Sequence, residues 1–120
     1  MSLAPYPMPP APDHILSRLM ALIEDRKANP PPKSYTTTLF AGGVAKIGEK
    51  IMEEAAEVVE AADEPGDEGR KHLIHEAADL VYHLFVMLGY RDIKLADVEA
   101  ELACRFGISG LDEKAARGTK

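Results

Sequence analysis

Apolar residues recur every three to four positions along most of this chain, the period of an amphipathic helix, and nowhere alternate long enough to make a strand. The first such stretch holds Ile15, Leu16, Leu19, Leu22 and Ile23. Asp13 stands before it as an N-cap, and Asn29-Pro30-Pro31-Pro32 ends it. Lys33 to Gly43 reads as a loop or turn-rich approach, with Gly42-Gly43 allowing a bend. A second helix from Val44 to Glu64 lines up Val44, Ile47, Ile51, Ala55, Val58 and Ala62 on one stripe. Pro65-Gly66 stops it, and Asp67 caps a third helix from Glu68 to Tyr90. Beyond Leu73 this third helix is apolar on most sides, with Leu80, Val81, Leu84, Phe85, Val86, Met87 and Leu88, as in the central helix of a bundle. Leu95, Val98, Leu102 and Phe106 make a short fourth helix.

The expected fold class is therefore all-α, with helices two and three as an antiparallel hairpin. One hairpin and two short helices cover so apolar a helix poorly. A homodimer pairing two hairpins as a four-helix bundle would bury it. The proline- and alanine-rich start, 1–12, reads as a disordered tail ahead of one domain at 13–117. It lacks the basic start and apolar core of a signal peptide, and no apolar run approaches the roughly 20 residues of a membrane span. Cys104 is the single cysteine, which excludes an intramolecular disulfide and suits a reducing compartment. It reads as a small core residue. The expected location is the cytoplasm. The formal charge is −6 and no basic stripe is present, so nucleic acid is excluded as a main partner.

Much of the acid lies between Glu49 and Asp79, and its spacing carries the chemistry. On helix two, Lys46, Lys50, Glu53 and Glu57 form one column opposite the apolar stripe. Glu54 lies about 60° from Glu57, at the border with Ile47, and should be among the more buried acids. On helix three, His72, Glu76, Asp79 and His83 form a second column, flanked by apolar residues on both sides. So apolar a helix has little reason to carry acids there unless something compensates them. Carboxylates about 5 Å apart repel by roughly 3 kcal/mol at an effective dielectric near 20. If the two columns meet, the acids must protonate, splay apart or bind a cation. Hard oxygen ligands at this spacing suit Mg²⁺, or Mn²⁺, with Lys46 and Lys50 placed to hold phosphate oxygens beside it. Glu49, Glu60 and Glu64 read as solvated surface, His72 and His75 as ordinary surface residues, and His83 as a hydrogen-bonded core histidine. A di-iron bundle needs Glu-x-x-His on two helices, which this chain does not have.

Glu53-Glu54-x-x-Glu57, followed about twenty residues later by Glu76-x-x-Asp79, resembles the MazG-like superfamily of nucleoside triphosphate pyrophosphohydrolases. Ser34-Tyr35-Thr36, Leu39, Gly43, Lys46-Ile47 and Lys50 resemble the approach segment of the phosphoribosyl-ATP pyrophosphatase family. The run from Glu76 through Tyr82-His83 is similar to that family's central helix, and Gly107 to Ala115 to its C-terminal segment. The resemblance spans Ile15 to Arg117. Two positions depart from it. Lys33 stands where a glycine is expected, and Lys94 where a Ser or Asp cap is usual, so the fourth helix should fray at its start.

The resemblance implies a Mg²⁺-dependent, oligomeric helical enzyme. It would convert phosphoribosyl-ATP to phosphoribosyl-AMP and pyrophosphate, the second step of histidine biosynthesis. Glu54, Glu57, Glu76 and Asp79 would hold the metal, and Glu53 would complete the shell or orient and deprotonate water. Lys46 and Lys50 would neutralise the leaving pyrophosphate, and Ser34, Tyr35 and Thr36 would donate to phosphate or ribose, or else cap the loop. The cyclohydrolase of the next step, fused in some organisms, would here be a separate protein. Two alternatives stay open: a house-cleaning nucleotide pyrophosphohydrolase of the same superfamily, and a non-enzymatic helical interaction module.

Overall fold

The computed structural model describes residues 14–107 and forms four helices: α1 (Ile15–Ala28), α2 (Tyr35–Ala62), α3 (Gly66–Tyr90) and α4 (Leu95–Phe106). The chain is all-α, and no strand occurs among the described residues. Asp13, the expected cap, and the Ser109 to Ala115 segment lie outside them; His14 takes the N-cap position of α1.

The largest departure from the expected pattern is at the start of α2. The segment expected as loop is helical from Tyr35, and the glycine bend survives only as a break at Gly43 (φ 67°, ψ −160°). Ser34 starts this helix: its Oγ accepts the Thr37 N–H at 3.3 Å, and its carbonyl accepts the Thr38 hydroxyl at 3.1 Å. Threonines and paired glycines have weak helix propensity, but burial of Thr36 and Leu39 on one face overrides it. A side chain at Gly43 would come within 3.3 Å of the Tyr90 hydroxyl, and its dihedral angles are those of glycine. The break lets Tyr35–Gly42 fold against α1 and the end of α3 while the rest of α2 follows the hairpin. Lys33, where the family pattern suggested glycine, holds a left-handed φ of 59°.

A short connection turns α2 into α3, and the two helices form the hairpin. Pro65 rather than Asp67 is the N-cap of α3; Asp67 and Glu68 instead stand in its first turn, where carboxylates favour the helix dipole. Leu19, Met20 and Ile23 of α1 pack on Leu39 and Ile47 of α2 and on Tyr82, Phe85 and Val86 of α3. Lys27, on the last turn of α1, donates to the carbonyls of Gly89 and Tyr90 at 3.0 Å each and to Asp92 Oδ1 at 2.9 Å. It thereby caps the end of α3. Met52, Val59 and Ile74 lie further along the hairpin and remain exposed.

Helix α4 is loosely seated and buries no residue, so Cys104 is exposed rather than a core residue. Its start is nevertheless tied: the Asp97 carboxylate accepts the Lys94 N–H at 2.9 Å, and Lys94 Nζ reaches Glu24 at 3.3 Å. These bonds replace the missing Ser or Asp cap. No helix among the described residues is long and apolar enough to cross a membrane.

Candidate active site

The hairpin brings the two acidic columns together. Glu54 and Glu57 project from successive turns of α2, and Glu76 from α3. One carboxylate oxygen of each lies within 4.8 Å of the others. A second group of the same compactness joins Glu76 and Asp79 to His75, whose Nε2 stands 3.3 Å from Asp79 Oδ2. Burial is uneven across the set. The side chains of Glu76, Glu54 and Asp79 are 8%, 13% and 17% exposed, while Glu53 is 50% exposed and pairs with Lys50 at 3.7 Å. Glu53 and Lys50 thus stand at the margin of the cluster. Lys46 is exposed on the column above, its stem against Gly42.

Electrostatics at the centre reflect that crowding. Burial, the adjoining Glu76 carboxyl and the charges of Asp79 and Glu57 push the Glu54 carboxyl up to about 7. Glu57 is raised through its contact with Glu76 and by burial. Burial works to raise Glu76 as well, but its interactions with the Glu57 and Glu54 carboxyls and with His72 outweigh it and hold Glu76 below the ordinary range. Two carboxylates hydrogen-bond only while one is protonated. Glu54 Oε2 and Glu76 Oε1 are buried and meet no donor among the described residues. Buried acceptors without donors are costly, and a proton or a cation relieves them. Convergent oxygen atoms and two orphaned acceptors fit a hard divalent cation.

A second network closes the cluster on the side of the α2 N-terminus. His83 is buried; its Nδ1–H donates to the Asp79 carbonyl at 2.9 Å, and its Nε2 accepts the Tyr35 hydroxyl at 2.8 Å. Burial lowers its pKa despite the bond to Asp79, which keeps the ring neutral. The Tyr35 phenol is raised by burial and by the charges of Glu54, Asp79 and Glu53, so its ring borders the acids. The Thr36 hydroxyl pairs with the Tyr82 hydroxyl, and Ser34 caps α2. All three side chains of the Ser34-Tyr35-Thr36 run are therefore engaged within the protein.

Comparison with known proteins shows the family. The profile of a family described as "Phosphoribosyl-ATP pyrophosphohydrolase" matches residues 16–106, which include the whole cluster. The chain belongs to this family. It is 54% identical over 105 residues to a phosphoribosyl-ATP pyrophosphatase of Rhodopirellula baltica, covering 88% of each chain. It is 52% identical over 103 residues to the protein of that name from Rhodobacter capsulatus, covering 86% of this chain and 97% of the other. With that of Geotalea daltonii the identity is 47% over 106 residues, covering 88% and 96%.

Family membership leaves open how each acid is oriented, and here the structure adds residues that helical periodicity had assigned to the surface. His72 bridges Glu64 and Glu76, with Nδ1 2.9 Å from a Glu64 oxygen and Nε2 3.0 Å from Glu76 Oε2. These contacts, Glu64 foremost, raise its pKa. The spacing of His72 and Glu76, one helical turn, was a readable signal. The contact with Glu64 depends on the turn between α2 and α3, which periodicity does not describe.

Proposed function

We propose that the chain hydrolyses phosphoribosyl-ATP to phosphoribosyl-AMP and pyrophosphate, the second step of histidine biosynthesis. The observation that carries this reading is the convergence of Glu54, Glu57 and Glu76 across the hairpin, in a chain of this family. These three with Asp79 would hold the cation, for which Mg²⁺ is our choice and Mn²⁺ a substitute. When bound, it supplies charge neutralisation at the phosphate oxygens and acidifies water. Water adds to phosphorus, the anhydride bond between the α and β phosphates breaks, and pyrophosphate departs with the bonding electrons. Glu53, exposed at the cluster's edge, would orient the water and take its proton. Lys50, beside Glu53, and Lys46, one turn earlier, meet the charge that accumulates on pyrophosphate. The Tyr35–His83 pair walls the acids on the side opposite the turn, and Ser34 and Thr36 set the position of that wall. We further propose that two copies pair through the exposed apolar stripe of Met52, Val59 and Ile74.

The substrate's ribose phosphate gives it a second anionic end. A site that uses this end to position the triphosphate loses rate, and not only affinity, on a substrate lacking it. Pyrophosphate release measured under matched Mg²⁺ should give a kcat/KM for phosphoribosyl-ATP at least about a hundredfold above ATP, dATP and dUTP, roughly 2.7 kcal/mol of discrimination. Comparable rates on the ordinary triphosphates, with no rescue of a histidine-requiring strain lacking this step, would overturn the assignment.

A further inference from the structure

We propose that His72 is a positioning residue for Glu76, anchored in that role by Glu64. The inference rests on the reading of the carboxylate cluster as a cation site. Glu64, His72 and Glu76 form a continuous relay from the turn after α2 into the third turn of α3. Both Glu64 oxygens lie within hydrogen-bond distance of His72 Nδ1, at 3.0 and 2.9 Å, and Nε2 faces Glu76 Oε2 at 3.0 Å. Glu76 Oε2 is a carboxylate oxygen, so the Nε2–H of the ring is the donor of that contact.

The consequence lies at the far oxygen of Glu76. A carboxylate is twofold symmetric, and its two oxygens exchange by a half-turn about the last torsion of the side chain. With Oε2 held by His72, that exchange breaks a hydrogen bond. Oε1 is the oxygen left buried without a donor among the described residues, on a carboxylate that converges with those of Glu54 and Glu57. The relay therefore assigns one oxygen to the protein and the other to the cation. Without His72, Glu76 would have to give up its buried place or orient without a partner, and cation binding would have to order it each time. Groups in this outer position around a metal change its affinity by about 10–100-fold when removed.

The staple between Glu64 and His72 also tethers the turn, so stability alone does not separate positioning from support. The separating readout is the response to Mg²⁺. In His72→Ala, calorimetric titration should show Mg²⁺ affinity about tenfold weaker or more. The Mg²⁺ concentration for half-maximal rate should rise in proportion, while KM for phosphoribosyl-ATP at saturating Mg²⁺ stays within about twofold. Glu64→Ala should move in the same direction by less. His72→Gln, which keeps one donor for Glu76, should fall between the wild type and His72→Ala. Should His72→Ala fail to fold, Glu64→Ala and His72→Gln carry the same comparison. Variants that fold and bind Mg²⁺ as the wild type does would overturn the inference while leaving the cation site standing. A wild type that binds no divalent cation would overturn the reading of the cluster and this inference with it.

Discussion

At Glu54, burial, contact with Glu76 and the charges of Asp79 and Glu57 all favour the protonated form, and the carboxyl is pushed up to about 7. A folded-state value raised above the unfolded one contributes stability that is fully present below the unfolded pKa, 4.5, and is lost as pH rises through about 7. Glu76, held low, has the opposite slope: its contribution is present above the unfolded value and fades as pH falls. Because these slopes oppose each other, the total stability of the protein is a poor probe of either. Comparison with Glu54→Gln isolates one of them. In chelator, the variant should gain on the wild type between pH 5 and pH 8, by roughly 4 °C in melting temperature. Adding Mg²⁺ at pH 8 should raise the wild type and shift the variant much less, since a ligand selective for the folded form stabilises it. A variant offset equal at both pH values would contradict the environment described for Glu54. The acids themselves were legible in sequence because a helix projects residues three and four apart onto one face, which fixes Glu54 beside Glu57 and Glu76 beside Asp79. Their partners from the turn, Glu64 above all, were not.

Helix α2 was the least legible element. Val44 onward reads as helix because its apolar stripe is regular, whereas Lys33 to Gly43 combines three threonines with a glycine pair and reads as loop. What makes it helical is long-range: α1 and the end of α3 supply the surface on which Thr36 and Leu39 are buried, and a single-sequence period cannot report a surface formed elsewhere. The break at Gly43 is what lets both halves pack. Gly43→Ala should therefore cost about 1–3 kcal/mol, the range for a non-glycine residue forced into such dihedral angles. Urea unfolding would measure it, and a loss below about 0.5 kcal/mol would mean that α2 can straighten. Activity should fall with stability, because the first half of α2 carries Tyr35 to His83. Lys33, left-handed at φ 59°, marks where a glycine would relieve strain rather than introduce it.

For the whole molecule, the girth of α3 suggested a second copy, and the exposed apolar residues are the surface on which the proposed pairing rests. Phe85 and Val86, natural choices for an interface, are 6% and 0% exposed inside the chain's own core. A charge there would unfold the protein and say nothing of assembly. The uncovered surface lies elsewhere. Met52 and Val59 are 72% and 70% exposed on α2, and Ile74 is 56% exposed on α3. Alanines at 56, 77 and 78 stand exposed along the same two helices. Large apolar side chains separated by alanines offer ridges and the close approach that helix-on-helix packing uses. Apolar residues recurring at helical spacing on both helices, rather than scattered singly, are the pattern expected of an interaction surface. A second hairpin laid across it would complete a four-helix bundle around the bare half of α2 and α3. Sedimentation equilibrium at micromolar concentration should return twice the single-chain mass for the wild type. Val59→Glu and Ile74→Glu should each shift it toward the single-chain mass while far-UV circular dichroism stays helical, since neither side chain belongs to the core of one chain. A wild type that sediments as a monomer and retains full activity would remove the second copy from the working enzyme.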